Sequence, residues 1–225
     1  MRLELATKEA MQYACVNFHY TRKPLDNISF GFSVFNDKGE WCGIVAYGRG
    51  NAPNIAKPFG LVQGQVIELL RVALNGKQNT TSSVVARSLK LLRKYAPLVK
   101  VVVSFADANQ DHIGTIYQAS NWIYIGESIS EKGIRIKGRL THKRSVGSKY
   151  GSSSIKFLRK HVDKNAEIIH GLPKYKYVYP IDKKLIQLCK SLSKPYPKKT
   201  SAGNSVVECS NSIGKAECLN PIPAL

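Results

Sequence analysis

The first candidates for chemistry are two charged side chains in an otherwise apolar stretch. Glu68 and Arg71 lie in VIELLRVALN (66–75), whose aliphatic and β-branched residues predict a strand. A charge in a central strand costs free energy unless it is paired or lies in a cleft. Arg71 is therefore predicted to hold a carbonyl, carboxylate or phosphate, and Glu68 to act as a base through a water molecule. Pairing with charges on flanking helices is the alternative.

A second polar group comes at the end of the apolar strand predicted over 99–109. SFADANQD (104–111) contains Asp107 and Ser104 close to the point where this strand ends. Sheets of α/β proteins place ligands at the carboxyl ends of their strands. Asp107 is therefore predicted to accept a proton, to orient an amine or to cap the next helix, with Ser104 beside it.

Three further side chains end predicted elements at positions suited to a pocket. His19 and Tyr20 end a helix that Thr7 is predicted to cap, and they are predicted to hold a metal ion such as iron or to orient a base. A His in the last turn of a helix also interacts favourably with the helix dipole, which is the alternative. Tyr47, in the strand predicted over 40–50, is predicted either to line the same pocket or to pack in the core.

The loop before the amphipathic segment 83–96 contains no acidic residue. It supplies polar side chains directly before a predicted helix, at Asn79, Thr80, Thr81, Ser82 and Ser83. A helix N-terminus presents unpaired N–H groups and a partial positive charge, so these five residues are predicted to bind a cofactor phosphate. An ordinary N-cap by Ser82 or Ser83 is the alternative. The chain has neither a Walker A nor a GxGxxG pattern.

The order of the elements that must position these residues indicates an α/β fold. Strands are predicted where apolar residues alternate or run together, at 28–36, 40–50, 66–75, 99–109, 122–128 and 174–180. Helices are predicted between three of these strands, at 83–96 and 112–121. Such alternation is typical of a layered α/β domain.

Positive charge is concentrated in the C-terminal part of the chain. The net charge is +19, and residues 131–200 hold 19 Lys or Arg against 4 Asp or Glu. This excess indicates a polyanionic partner, although a basic run can also be only a solvated surface. A basic strand and a flexible loop over 141–154 are predicted to bind DNA through Arg135, Lys137, Arg139, His142, Lys143, Arg144 and Lys149. The strand over 174–180 has tyrosines on one face, either as core or as a stacking surface, at Tyr175, Tyr177 and Tyr179.

The remaining composition excludes several classes of protein. Five scattered Cys without a CxxC pair indicate neither a disulfide framework nor a zinc site. No apolar run is long enough to span a bilayer and no apolar signal segment opens the chain, so we expect a cytoplasmic protein without a membrane partner. Residues 193–225 are rich in Ser, Pro, Lys and Asn without periodicity, which predicts a disordered tail.

Residues 25–127 resemble the GNAT acyltransferase superfamily. The resemblance is carried by a strand, a small helix and a strand with Asn109, Gly114, Tyr117, Ala119, Asn121, Trp122 and Gly126. It implies a mixed sheet flanked by helices, a splayed strand, an acetyl-CoA donor and Tyr117 as the general acid that protonates a leaving group. The usual Gln/Arg-x-x-Gly-x-Gly/Ala loop is absent, which leaves room for another donor such as an aminoacyl-tRNA.

Over residues 1 to about 190 the chain is similar to the Mom family of phage DNA-modification proteins. The similarity is carried by FHY (18–20), ELLRVALN (68–75), SFAD (104–107), GTIYQASNWIYIG (114–126), KYG (149–151) and PKYKYVYP (173–180). It implies an enzyme that adds an acetamido, glycinamide-like group to the exocyclic amine of adenine in phage DNA and so blocks restriction. The reaction centre would contain Arg71, Asp107 and Tyr117, with Ser104 and Tyr47 near them.

These observations predict a catalytic core over 1–130, a basic nucleic-acid-binding extension over 131–192 packed on it, and the tail over 193–225. DNA is the expected partner, and tRNA would suit the same positive charge. Two other functions fit the residues: an ordinary GNAT N-acetyltransferase acting on a protein or small-molecule amine, and a nucleic-acid-binding protein without catalysis.

Overall fold

Seven strands form the main sheet, in the order β1-β2-β3-β4-β5-β10-β6. A computed structural model of the chain describes residues 1–50, 54–128 and 131–198. The strands of this sheet are β1 Arg2–Leu5, β2 Ile28–Phe35, β3 Trp41–Gly48, β4 Val66–Leu74, β5 Val101–Asp107, β6 Ile123–Ser128 and β10 Lys174–Pro180. A second sheet of three strands has the order β8-β7-β9, with β7 Glu131–Ile136, β8 Arg139–Thr141 and β9 Glu167–His170.

Helices cover both faces of the main sheet. Their bounds are α1 Lys8–Asn17, α2 Thr81–Tyr95, α3 Thr115–Gln118, α4 Lys143–Tyr150, α5 Ile155–His161 and α6 Ile186–Ser191. α2 packs on one face through a buried apolar stripe, whereas α1 packs against β3 and β4 on the other face. The predicted mixed α/β fold, a sheet flanked by helices, is confirmed.

β4 and β5 pair in parallel, and these two strands separate soon after they meet. They pair through Val66, Ile67 and Glu68 of β4 and then diverge, so the rest of each strand lacks the other as a partner. In β4 the register against β3 shifts between Leu69 and Arg71, which leaves Leu70 as an extra residue. Such bulges re-aim side chains and are common beside active sites. The splayed strand that the resemblance implied is therefore present.

β10 enters the main sheet from a distant part of the chain. It lies between β5 and β6 and is antiparallel to both, although the sequence analysis assigned its residues to the basic extension. Tyr175 and Tyr177 are buried in the main core, and the Tyr177 hydroxyl donates to the Ile113 carbonyl at 2.5 Å. The tyrosines of this strand are therefore core residues, which is the packing alternative of the two left open by the sequence.

Residues Glu131–His170, called the insertion below, form β7, β8, α4, α5 and β9. They have an apolar cluster of their own, built from Ile134, Ile136, Val146, Leu158 and Ala166. The prediction of a flexible loop over 141–154 is wrong, because α4 occupies most of this segment. The His142 side chain accepts the Arg144 N–H as an N-cap, and the buried Val146 anchors the helix.

The basic strand predicted over IRIKGRL is instead a hairpin. It turns at Lys137 and Gly138, whose φ angles of 47° and 74° are both positive. Positive φ at both central residues is the requirement of a tight two-residue hairpin turn.

The segment after α6 continues along the edge of the main sheet. The Lys194 N–H donates to the Tyr124 carbonyl at 2.8 Å, and the Tyr196 hydroxyl donates to the Trp122 carbonyl at 2.5 Å. The rest of the predicted disordered tail, residues 199–225, lies outside the described residues. Within the described ranges, none of the helices combines the length and the apolar composition needed to cross a membrane.

Candidate active site

A cleft of about 590 Å³ opens where β4 and β5 diverge. Its walls come from the end of α1, the separated parts of the two strands, and the loop and short helix that follow β5. The residues that line it include Phe18, His19, Tyr20, Glu68, Arg71, Gly76, Gln78, Thr81, Asp107, His112, Tyr117 and Lys174. The divergence of the strands thus brings residues from four distant sequence segments to one place.

Arg71 projects from β4 next to the bulge at Leu70. Its Nη1 donates to the Leu70 carbonyl at 3.0 Å, which fixes the guanidinium near the strand. Its Nε is buried and has no hydrogen-bond partner in the described part of the chain. A buried donor without an acceptor is costly unless a ligand supplies one. The cleft therefore offers a positioned positive charge with an unused donor to an oxygen-bearing substrate.

Tyr117 is a buried hydroxyl at the wall of the cleft. The Ser104 side chain lies 2.8 Å from the Tyr117 hydroxyl and 2.9 Å from the Leu69 carbonyl, which can only accept. The single serine proton can be donated either to the Leu69 carbonyl or to the Tyr117 oxygen, and the second arrangement leaves the Tyr117 proton free for another acceptor. Burial raises the pKa of Tyr117 to about 12, so the hydroxyl stays protonated at neutral pH. It can give a proton to a leaving group.

The short helix that carries Tyr117 is set by a glycine. Gly114 precedes it with a φ of 83°, and a Cβ there would lie 2.3 Å from the Tyr177 ring. Only glycine allows both this backbone angle and this close approach. The Tyr117 ring then packs between Trp122 and Tyr177, with centroids at 5.1 and 5.2 Å.

Asp107 lines the cleft and also caps the turn that follows β5. Its Oδ1 accepts the Asn109 N–H at 3.0 Å and the Asn109 side-chain amide at 2.9 Å. The capping alternative is therefore present together with the predicted position in the pocket. Lys174 of β10 lies directly across the ladder from Asp107, and both residues line the cleft.

His19, Tyr20 and His112 form an aromatic group in the cleft. The rings of His19 and Tyr20 are 4.2 Å apart, and His112 meets the Tyr20 ring edge-on at 5.5 Å. Burial lowers the pKa of His19 to about 4, helped by electrostatic interaction with Arg71 and His112, so His19 is neutral at pH 7. Burial also raises the pKa of Tyr20, and the charge of Asp107 adds to that shift.

The predicted metal site at His19 and Tyr20 does not fit well with the hydrogen bonds of His19. Its Nδ1 accepts the Thr21 N–H at 3.2 Å and contacts the Thr21 hydroxyl at 2.9 Å, which puts the imidazole proton on Nε2. Among the described residues, no group of three His, Cys, Asp or Glu side chains is arranged to hold a metal ion.

Tyr47 lies outside the cleft. Its side chain is fully buried, and its hydroxyl lies 2.6 Å from Ser88 Oγ of α2, which donates to the Val85 carbonyl at 2.7 Å. Burial raises its pKa, as it does for Tyr117. The residue predicted from the sequence to line the pocket is therefore placed in the core, where its hydroxyl supports packing between β3 and α2.

Most residues of the predicted phosphate loop stabilise the loop itself. Thr80 caps α2 by accepting the Ser83 N–H at 3.3 Å, so the cap lies at least two residues earlier than the Ser82 or Ser83 cap of the sequence alternative. The Asn79 amide donates to Asp37 at 3.1 Å, which places a negative charge close to the loop. Thr81 lines the cleft, beside the buried and unpartnered Oε1 of Gln78.

The predicted DNA-contacting residues all lie in the insertion and are mostly exposed. Arg135 pairs with Glu167, and Lys137 donates its backbone N–H to Asp163 at 2.6 Å. His142, Lys143 and Arg144 line a shallow depression at the start of α4, which Gly147 and Ser153 complete. The insertion therefore presents these cations on a different part of the fold from the cleft.

Several polar or aromatic cleft residues were not predicted as site residues from the sequence. They include Phe18, Gln78, His112 and Lys174. His112 is next to the predicted group at Asp107 in the chain, which is a signal that sequence analysis can use. No such signal exists for Lys174, because it reaches the cleft only through the pairing of β10 with β5.

Comparison with known proteins gives one family and one curated relative. A family model described as the Mom protein family matches residues 1–198. The chain is 29% identical over 188 residues to the methylcarbamoylase Mom of Escherichia phage Mu, an alignment that covers 80% of this chain and 76% of that protein.

Similar solved structures include acetyltransferases. A spermidine N-acetyltransferase SpeG variant from Vibrio cholerae has a TM-score of 0.48 and 11% identity, covering 83% of this chain and 96% of that one. The GNAT family N-acetyltransferase YhbS of Escherichia coli, solved in complex with CoA, has a TM-score of 0.35 and 11% identity, covering 54% of this chain and 67% of that one.

Proposed function

The chain belongs to the Mom protein family, and we propose that it is a transferase that places a methylcarbamoyl group on the exocyclic amine of adenine in DNA. The observation that carries the proposal is the cleft between β4 and β5, which gathers a cation, a protonated phenol and two carboxylates at one point. The relative in phage Mu supports methylcarbamoyl as the transferred group, since that protein is named a methylcarbamoylase. The basic insertion supports DNA as the partner.

A methylcarbamoyl group differs from the acetamido group that the sequence resemblance implied. The two contain the same atoms, but a methylcarbamoyl group is attached through its carbonyl carbon and gives a urea. Its transfer is therefore an ordinary substitution at a carbonyl, as in acyl transfer. An acetamido group is attached through a saturated carbon and would need different chemistry. Substitution at a carbonyl needs a cation for the oxygen and a proton donor for the leaving group, and Arg71 and Tyr117 of the cleft can supply these.

The residues of the cleft have complementary roles in this substitution. The amine nitrogen forms a bond to the donor carbonyl carbon, and Arg71 stabilises the charge that develops on the carbonyl oxygen. Glu68 or Asp107 accepts the proton that the amine loses, directly or through water. The bond to the leaving group then breaks, and Tyr117 gives that group its proton. Ser104 holds Tyr117 in position throughout.

An amine attached to an aromatic ring is a weak nucleophile, so the donor must carry an activated carbonyl. An acyl-CoA-type thioester that carries a methylcarbamoyl group meets this condition, with the thiol as the leaving group. An aminoacyl-tRNA, the other carrier expected from the sequence, would transfer an aminoacyl group and give an amide, so it does not fit the proposed urea. We place the carrier at the end of the cleft near Gly76, Gln78 and Thr81, where the Gln78 Oε1 has no hydrogen-bond partner among the described residues. The Asp37 carboxylate near Asn79 makes this loop less suited to a diphosphate than a loop without an acid.

The target base must reach the cleft from a nucleic acid. A base inside a duplex is inaccessible, so the adenine must be extruded or single-stranded. Tyr20 is 46% exposed in the cleft and is flanked by His19 and His112. Such rings can stack on an extruded purine.

The proposal is tested by mass spectrometry of nucleosides from the DNA of cells that express the protein. Mass alone cannot separate a methylcarbamoyl from an acetamido adduct, because they are isomers. Tandem fragmentation separates them: the urea loses methyl isocyanate and returns deoxyadenosine, and the acetamido isomer does not. We expect the loss of methyl isocyanate.

The matched control is a cell that expresses Arg71→Ala at the same soluble level. Its DNA should contain only ordinary deoxyadenosine, and the variant should bind DNA as the wild type does. An acetamido adduct would refute the proposed methylcarbamoyl group but not the proposed active site. Unmodified DNA from cells with soluble wild-type protein and a phage background would refute the function.

A further inference from the structure

Two consecutive helices in the insertion are held together by the insertion's own core. α4 and α5 are separated by residues 151–154, and Gly151 at the start of this turn has a φ of 76°. Val146 of α4 and Leu158 of α5 are fully buried in one apolar cluster with β7. Two helices joined by a turn of three or four residues that contains glycine have the form of a helix-turn-helix unit.

The charge of this unit has one sign. From His142 to His161 the chain has six Lys or Arg and no Asp or Glu. Two of the three acids elsewhere in the insertion are bonded within it, since Asp163 accepts the Lys137 and Asn165 N–H groups and Glu167 pairs with Arg135. The outer surface of the two helices is therefore positive, as a polyanion requires.

The exposed face of α5 combines cations with an aromatic pair. Lys156 and Lys160 are exposed, opposite to the buried Leu158. Phe157 is 37% exposed, and its ring lies 4.7 Å from that of His161. Cations alone fit a solvated surface, but an exposed aromatic side chain between them adds an apolar contact. Lysines that reach phosphates and an apolar ring that reaches a thymine methyl are a combination suited to a DNA groove.

We propose that the insertion is a helix-turn-helix reader of double-stranded DNA and that α5 selects the sequence around the modified base. This inference rests on the proposed function only in taking DNA as the substrate. The cleft performs the transfer, and the insertion holds a neighbouring stretch of duplex. None of the α5 residues was among the DNA contacts expected from the sequence, which were in the hairpin and α4.

The first test measures binding of a fluorescent duplex by the full-length protein at several salt concentrations. Lys156→Gln with Lys160→Gln should weaken binding and reduce the slope of log K against log salt by about 1.8, because each lost phosphate contact removes about 0.9. The matched control is Lys183→Gln with Lys184→Gln, an exposed pair next to α6 that removes the same charge. An unchanged slope in the α5 variant, or an equal change in the control, would overturn the proposal.

Two further measurements distinguish sequence-specific binding of duplex DNA from nonspecific electrostatic attraction. A single-stranded oligonucleotide of the same sequence should compete at least roughly tenfold more weakly than the duplex, and equal competition would overturn the proposal. Selection from a pool of duplexes with randomised positions should enrich a motif with the wild type, and Phe157→Ala should relax it at one or more positions. A pool without a motif, or a motif that Phe157→Ala leaves intact, would overturn the selecting role.

Failure of this inference is distinguishable from failure of the proposed function. Binding, competition and motif enrichment do not need turnover, so they decide the role of α5 even if no modified nucleoside is found. Conversely, if a modified adenine is found and the α5 substitutions change neither duplex binding nor the enriched motif, the proposed cleft chemistry stands and the proposed role of α5 is refuted.

Discussion

Replacement of Tyr117 by Phe separates a catalytic from a structural role with little disturbance of the fold. The change removes a hydroxyl that is buried beside Ser104 at 2.8 Å. Ser104 keeps an acceptor after the change, because its hydroxyl also reaches the Leu69 carbonyl at 2.9 Å. No buried donor is therefore left without a partner, and we expect a loss of about 0.5–1.5 kcal/mol in the free energy of unfolding.

The expected loss of activity is far larger than this change in stability. A positioned general acid contributes about 10²–10⁴ in rate, so Tyr117→Phe should lower the transfer rate by that factor. Because the pKa of Tyr117 is raised to about 12, its proton is present throughout the neutral range. The loss should therefore be similar at about pH 6 and about pH 9.

The fold supplies a matched control in Tyr47. Its hydroxyl is equally buried and lies 2.6 Å from Ser88 Oγ, which also donates to a backbone carbonyl, that of Val85. Tyr47→Phe removes the same atom from the same kind of network outside the cleft, so it should cost similar stability and leave the rate nearly unchanged. The assay is the yield of modified deoxyadenosine per protein, with thermal unfolding measured in parallel. Equal rates for the two variants would refute the role of Tyr117.

Three other changes test the remaining parts of the site. Gly114→Ala should lower the melting temperature strongly and abolish activity, because a Cβ would lie 2.3 Å from the Tyr177 ring at a φ of 83°; a variant as stable as the wild type would contradict this. The free energy of unfolding should fall as the pH drops from about 6.5 towards about 4, because His19 has a lower pKa in the folded state and so takes up its proton at higher pH in the unfolded chain. His19→Gln should make this fall smaller by about 1 kcal/mol, a value reduced to allow for solvent screening. Arg71→Lys keeps the charge but loses the planar fork, so the rate should fall by about 10²–10³ while duplex affinity, measured by anisotropy, stays within about twofold.

Local chemistry determined most of the elements from the sequence. The strands β2 to β6 and the helix α2 follow from apolar periodicity. The charge of Arg71 within an apolar strand and the place of Asp107 at a strand end predicted two cleft residues, whereas Tyr117 was predicted from the resemblance to acyltransferases. The first two positions are readable because a charge within a strand and the end of a strand are local properties. The wrong prediction at residues 141–154 has a local cause. α4 buries Val146 among glycines and serines, so its sequence lacks the apolar periodicity by which a helix is predicted.

Tertiary structure alone decided which of two similar tyrosines faces the cleft. Tyr47 and Tyr117 are both buried, both bonded to a serine and both raised in pKa by burial. What separates them is the divergence of β4 from β5, which opens space beside Tyr117 and leaves Tyr47 under α2. That divergence depends on pairing between distant strands, so no window of sequence contains it. Lys174 shows the same limit, because its place opposite Asp107 exists only once β10 has paired with β5.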